Sequence, residues 1–138
     1  MVNFATFLCD ACALQHYRFF PAREHYLKHI DTEHFDQFQQ AALALGNNKK
    51  FIDFCLDVNC AQLDIPERYK SCVVVWYGKR VRYEASALTF TEDCPTTQWK
   101  AQLAANDASN QATDLAKKGM DEASKAASAG FAKIKGFF

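Results

Sequence analysis

With 138 residues, 49% of them hydrophobic and 14% aromatic, the chain is long enough for one domain with a real core plus an appendage. Its 16 basic residues cancel its 16 acidic ones, which excludes a globally basic nucleic-acid binder, since neutralising phosphates needs a surplus of Lys and Arg. No stretch approaches the roughly 18 consecutive apolar residues of a spanning helix.

The start, Met1-Val2-Asn3-Phe4-Ala5, has neither a positive n-region nor a long apolar h-region, so no secretory signal is read there. The expectation is a cytoplasmic protein. Its six cysteines (9, 12, 55, 60, 72 and 94) are then reduced thiols or metal ligands rather than three disulfides.

Phe4 to Leu8 is a short apolar run that reads as a strand and ends at Cys9-x-x-Cys12. Ala11 to Tyr17 follows as a short helix, and Tyr26 to Ile30 alternates like a second strand. Asp31-Thr32 suits an N-cap for a helix over Glu33–Leu45, with Phe35, Phe38, Ala42 and Leu45 on one face and Gly46 as its stop. Lys49 to Val58 predicts the next helix, with Phe51, Ile52, Cys55 and Leu56 inward. Pro66-Glu67 opens another, because Pro fits a first turn and Glu suits its dipole. Cys72 to Tyr77 reads as a buried strand by propensity, yet Tyr69, Val73, Tyr77 and Val81 keep a helical spacing of four. Periodicity alone leaves that segment open.

Composition shifts at residues 93–96. Before it lies an aromatic-rich domain, 1–92; after it residues 97–138 hold eleven Ala and six Lys against four acids. This tail repeats every eleven residues: Ala112, Ala123 and Ile134 share one register, Ala116, Ala127 and Phe138 another, Met120 and Phe131 a third. Eleven residues in three turns, about 3.67 per turn, keep one stripe on one face of a long helix. Phe131, Ile134, Phe137 and Phe138, with Lys133 and Lys135 beside them, make its end a candidate membrane-surface segment; a partly disordered tail of high helix propensity is the other reading.

Cys9 and Cys12 can place two thiolates on one zinc, but a structural site needs four ligands. His16, His25, His29 and His34 repeat no standard finger spacing, and Cys55 and Cys60, five apart, make a poor knuckle. Thiol catalysis has no readable acid partner or oxyanion turn. Gly46-Asn47-Asn48 lacks the spacing and the Lys-Ser/Thr of a phosphate loop. Lys79-Arg80-Val81-Arg82 is a small basic cluster that either meets an acidic or lipid surface or is a solvated helix face.

Phe7-Leu8-Cys9-Asp10-Ala11-Cys12-Ala13-Leu14-Gln15-His16 resembles the second zinc knuckle of the GTPase-activating domain for Arf-family small GTPases: an apolar pair, Cys-x-x-Cys, three residues, then His-Arg. Tyr26-Leu27-Lys28-His29 falls where that family has a short strand. Leu45-Gly46-Asn47-Asn48 is similar to its Gly-Gly-Asn turn, and Phe51-Ile52-Asp53-Phe54 to the aromatic helix after it. Arg68-Tyr69-Lys70-Ser71 followed by Tyr77 is similar to the family's long helix. The series runs in order from residue 4 to about 88.

The resemblance implies an α+β, mostly helical fold with a small β-sheet beside the Cys-x2-Cys half finger, and favours helix for Cys72–Tyr77. It implies zinc at Cys9 and Cys12, an Arf-family GTPase as partner, and vesicle trafficking at Golgi or endosomal membranes. Two departures stand against it. The family's first cysteine pair has no counterpart here, so two of four ligands are missing and the N-terminus is degenerate or truncated. The family's catalytic arginine directly follows the His, where this chain has Tyr17; Arg18 comes one residue late and becomes the displaced arginine-finger candidate. A GTPase activator with impaired activity, a non-catalytic GTPase- or membrane-binding module, and a zinc-free helical protein sharing only the pattern are the readings that remain.

Overall fold

The computed structural model describes residues 1–21 and 26–135, with side chains as far as residue 125. Contacts divide it into two units, Met1–Trp99 and Lys100–Phe138. The first holds a 3-10 turn at Val2–Phe4 and helices α1 Asp10–Phe19, α2 Gln37–Leu45, α3 Asn48–Asp57, α4 Ile65–Lys70 and α5 Cys72–Ala85. It also contains the first turn of α6, Thr96–Lys135.

Among the described residues there is no β-strand, which corrects the expected sheet beside Cys9 and Cys12 and makes the fold helical rather than α+β. The two segments expected as strands find other hydrogen-bond partners. Asn48 Oδ1 accepts from the Phe7 N–H at 2.6 Å and its Nδ2 donates to the Phe7 carbonyl at 2.8 Å, so one side-chain amide takes the place of a neighbouring strand. Asn3 Oδ1 accepts from the Tyr26 N–H at 2.8 Å, and a single backbone bond joins Val2 N–H to the Tyr26 carbonyl at 3.0 Å. Ala5, in the left-handed region at φ 50°, turns the chain just where a strand would run.

Local capping chemistry sets the helix starts. Asp36, not Asp31 or Thr32, caps α2 in a reciprocal capping box with Gln39. Asn47 caps α3, Asp64 caps α4 with Pro66 in its first turn, and Ser71 caps α5 through its hydroxyl. Each such cap contributes about 1 kcal/mol. Ser71 also ends α4: its N–H closes on Glu67, and its extended backbone breaks the helix for one residue. The spacing-of-four stripe survives the break, since Tyr69, Val73, Tyr77 and Val81 are all buried. Helical spacing therefore prevails over β propensity in this segment.

The core is aromatic. Phe4 lies 5.1 Å from Tyr69 and 5.9 Å from Phe51; Phe51 stacks on Tyr69 at 5.6 Å and meets Tyr77 at 5.4 Å. On α3 only Phe51 and Cys55 are buried, whereas Ile52 and Leu56, expected inward, are 53% and 57% exposed. Phe90 folds back onto Trp76 and Tyr83, and Trp76 Nε1 donates to the Glu92 carbonyl at 2.9 Å. Trp99 is buried, and its Nε1 donates to the Val58 carbonyl at 2.7 Å, which carries the compact unit past the compositional shift at 93–96. In the second unit α6 continues as one helix to Lys135, with Leu115 and Met120 71% and 74% exposed.

Gly46 does stop α2, but with extended backbone (φ −124°, ψ 177°), not the left-handed cap a terminal glycine usually supplies. Close approach is its reason. A Cβ there would stand 2.5 Å from Ala5 Cβ and 3.2 Å from the Ala5 carbonyl. Gly46→Ala is expected to lower unfolding stability by about 1–3 kcal/mol through overpacking, read from urea denaturation midpoints. At the end of α5, Ala87 holds φ 55° so that its N–H and that of Leu88 close on Glu84 and Tyr83. Glycine is the residue this position favours, so Ala87→Gly is expected to raise stability by about 1 kcal/mol in the same measurement.

Candidate functional site

The site the sequence points to is built on α1. Cys9 is its N-cap (φ −73°, ψ 164°), and the Ala13 N–H closes the first turn on the Cys9 carbonyl at 2.9 Å. This puts the Cys9 sulfur against the backbone N–H groups of the helix start. The Cys12 N–H, and after it the Cys12 thiol, pull its pKa below the usual thiol value. Cys12 is pushed up by its neighbour Cys9. Both cysteines are exposed.

Among the described residues no group of three or more His, Cys, Asp or Glu comes together in a way that could hold a metal ion. His16, one turn past Cys12, points inward: it is buried and stands edge-on to Tyr69 at 4.6 Å. His29 and His34 are exposed; the His29 Nδ1 accepts from the Asp31 N–H at 3.3 Å. His25 lies outside the described residues. The two thiols therefore supply half a tetrahedral set, and no third donor among the described residues joins them.

Tyr17 and Arg18 part company. One residue turns a helix face by about 100°. Tyr17, 52% exposed, lines a groove of about 530 Å³ with Ala13, Leu14, Leu27, Ile30 and Phe35. Arg18 lines a different hollow of about 410 Å³, with Gln15, Phe19 and residues 63–66. The rim of the Tyr17 groove carries Asp10, Asp31 and Glu33 against Lys28 and His29. Lys28 is already engaged, since its Nζ donates to the His34 carbonyl and to Gln39 Oε1. The groove is thus lined by apolar side chains together with three acidic residues, Lys28 and His29.

The basic cluster on α5 is largely neutralised. Lys79 pairs with Glu92 at 3.4 Å and Arg80 with Glu84 at 2.6 Å, while Arg80 also lies over the Trp76 ring and Val81 is buried. In the tail, Phe131 and Ile134 fall on the α6 backbone without described side chains, and Phe137 and Phe138 lie outside the described residues. No helix among the described residues is long and apolar enough to cross a membrane. Sequence reasoning missed the acidic rim and Leu14, 64% exposed. The signal was there in Asp10 and Leu14 four apart on α1, but the partners Asp31 and Glu33 come from a loop no periodicity reveals. No family model matches the chain, nor does any characterised protein or solved structure.

Burial holds the His16 imidazole below its ordinary value of 6.5, with the positive charges of the amino terminus and Arg68 acting the same way. The unfolded chain takes up this proton near 6.5 and the folded chain only at lower pH, so protonation favours unfolding. His16 adds full stability above 6.5 and loses it as pH falls through that value towards the folded one. Urea midpoints are expected to fall between pH 7.5 and pH 5 in the native chain, and to fall less in His16→Phe, which keeps a ring against Tyr69.

Proposed function

We propose that this chain is an Arf-GAP-derived module that docks an Arf-family small GTPase in vesicle trafficking without accelerating GTP hydrolysis. The observation that carries the reading is Tyr17. The position that the resemblance assigns to a catalytic arginine holds a phenol, and it faces a groove rimmed by Asp10, Asp31 and Glu33. A guanidinium finger works by bringing positive charge to a transferring phosphoryl group, an effect worth about 10³–10⁵ in rate. A phenol brings no such positive charge. The same surface remains suited to binding, because Phe7, Leu14 and Tyr17 are all at least 43% exposed.

In this reading α6 supplies membrane attachment at Golgi or endosomal surfaces through its eleven-residue stripe, in the manner of an interfacial helix. Zinc at Cys9 and Cys12 would need ligands from outside the described residues, and no step of the proposal passes through it. The second reading is GTPase activation through Arg18, favoured by that residue's exposure on α1.

Single-turnover GTP hydrolysis by an Arf-type GTPase separates the two, run beside a direct binding measurement. The native chain is expected to bind without changing the hydrolysis rate, Arg18→Ala to behave identically, and Tyr17→Arg to accelerate hydrolysis by at least about tenfold, a fraction of a full finger effect. Acceleration by the native chain that Arg18→Ala abolishes would replace the first reading with the second. Absence of any binding would remove both.

A further inference from the structure

The end of α3 carries a second pair of cysteines with a geometry of its own. Asn59 sits in the left-handed region at φ 56°; its N–H closes on the Leu56 carbonyl at 3.0 Å, and the Cys60 N–H closes on the Cys55 carbonyl at 2.8 Å. These two bonds define a Schellman motif, in which the residue after the left-handed one packs its side chain on the residue five before it. Usually that contact joins two hydrophobes. Here it joins two thiols, 3% and 0% exposed, and each shifts the other, Cys55 upwards and Cys60 downwards.

The surrounding loop is clamped from two sides. An Arg68 guanidinium nitrogen donates to the Ala61 carbonyl at 2.5 Å and the Leu63 carbonyl at 2.6 Å, and its Nε is buried with no partner. The indole of Trp99 holds the Val58 carbonyl. Arg68 lies near enough for its charge to favour thiolate at both sulfurs, and the neighbouring thiol raises Cys55 while lowering Cys60.

We infer that Cys55 and Cys60 form a dithiol–disulfide couple, oxidised by a small hydroperoxide, whose disulfide locks the loop between α3 and α4. The Cys60 thiolate attacks one peroxide oxygen; the O–O bond breaks, leaving a sulfenic acid on Cys60 and a hydroxide that takes the Cys60 proton as water. The Cys55 sulfur then attacks the Cys60 sulfur. An S–S bond forms, the S–O bond breaks, and the departing hydroxide takes the Cys55 proton as a second water. Two thiols and one hydrogen peroxide give one disulfide and two waters. The backbone bonds of the motif have already brought the two residues together, so closing to the roughly 2.05 Å of a disulfide calls mainly on side-chain movement. Burial selects a small oxidant and makes this pair slower than the exposed Cys9 and Cys12.

The test uses the full chain. It is treated with hydrogen peroxide, quenched, denatured, alkylated with N-ethylmaleimide and digested with trypsin. Residues 51–68 lie between Lys50 and Arg68 with no cleavage site within them, so both cysteines fall on one peptide. That peptide is expected to lose two hydrogens and carry no alkyl group, and to take up two after reduction. A peptide that stays doubly alkylated while Cys9 and Cys12 are fully oxidised would overturn the inference, as would one carrying sulfinic or sulfonic acids instead of the link. In Cys55→Ser, dimedone is expected to trap a sulfenic acid on Cys60, whereas Cys60→Ser should leave Cys55 unlabelled; equal labelling of the two would refute the assigned roles. Should either variant fail to fold by circular dichroism, the native peptide alone decides. Amide exchange across residues 59–63 gives an independent readout, expected to slow about tenfold in the oxidised chain if local opening of this loop limits exchange; unchanged exchange would refute the lock.

Discussion

Tyr69 is the residue around which the compact unit closes. His16 meets its ring at 4.6 Å, Phe4 at 5.1 Å, Phe51 at 5.6 Å and Phe20 at 6.1 Å. These four come from α1 and its end, the N-terminal turn and α3, so one phenol on α4 holds together segments that share little backbone hydrogen bonding. Each such pair adds roughly 0.5–1.5 kcal/mol beyond its buried area. Burial pushes the Tyr69 hydroxyl pKa well above its ordinary value. Gly78 and Gly46 complete the constraint from the other side: a Cβ at Gly78 would come 2.9 Å from Phe4 Cε1, and one at Gly46 would strike Ala5. The N-terminal turn can reach the ring cluster only because both glycines leave space for it.

The same arrangement explains why no sheet forms. A strand at residues 4–8 would alternate Phe4 and Ala5 to opposite faces, yet both are buried, Phe4 against Gly78 on α5 and Ala5 against Gly46 at the end of α2. The left-handed turn at Ala5 reconciles them. Once that turn is made, the Phe7 backbone faces the start of α3, and the Asn48 amide satisfies both of its groups. Packing the aromatic core thus takes precedence over the β propensity of the segment, and two asparagine side chains replace the ladder that is lost.

What was legible in the sequence follows the range of the interaction that decides it. Tyr69, Val73, Tyr77 and Val81 could be read because a buried helix face repeats within the chain itself. Pro66 and Gly46 could be read as boundaries because their preferences are local, although Gly46 acts through contact with Ala5, forty-one residues away in sequence, and not through the conformation expected of it. Asp31-Thr32 misled because the side chain of Glu33 turns back to the His29 N–H, making a tight loop there and leaving Asp36 to cap the helix. Ile52 and Leu56 misled because α3 is covered on one side only. Cys55 and Cys60 were judged by zinc spacing, when Asn59 between them marked a helix cap; the relevant period was that of a turn.

The candidate site turns on a single register. α1 is one continuous helix from Asp10 to Phe19, so residues 17 and 18 cannot exchange faces without breaking it. His16 fixes the rotation, because its ring is buried against Tyr69. With that residue anchored, Tyr17 must face the acid-rimmed groove and Arg18 must face the hollow beside α4. Moving Arg18 into the position of Tyr17 would withdraw His16 from the core and disturb the ring cluster. The contact that stabilises the fold is therefore the one that keeps Arg18 away from the groove.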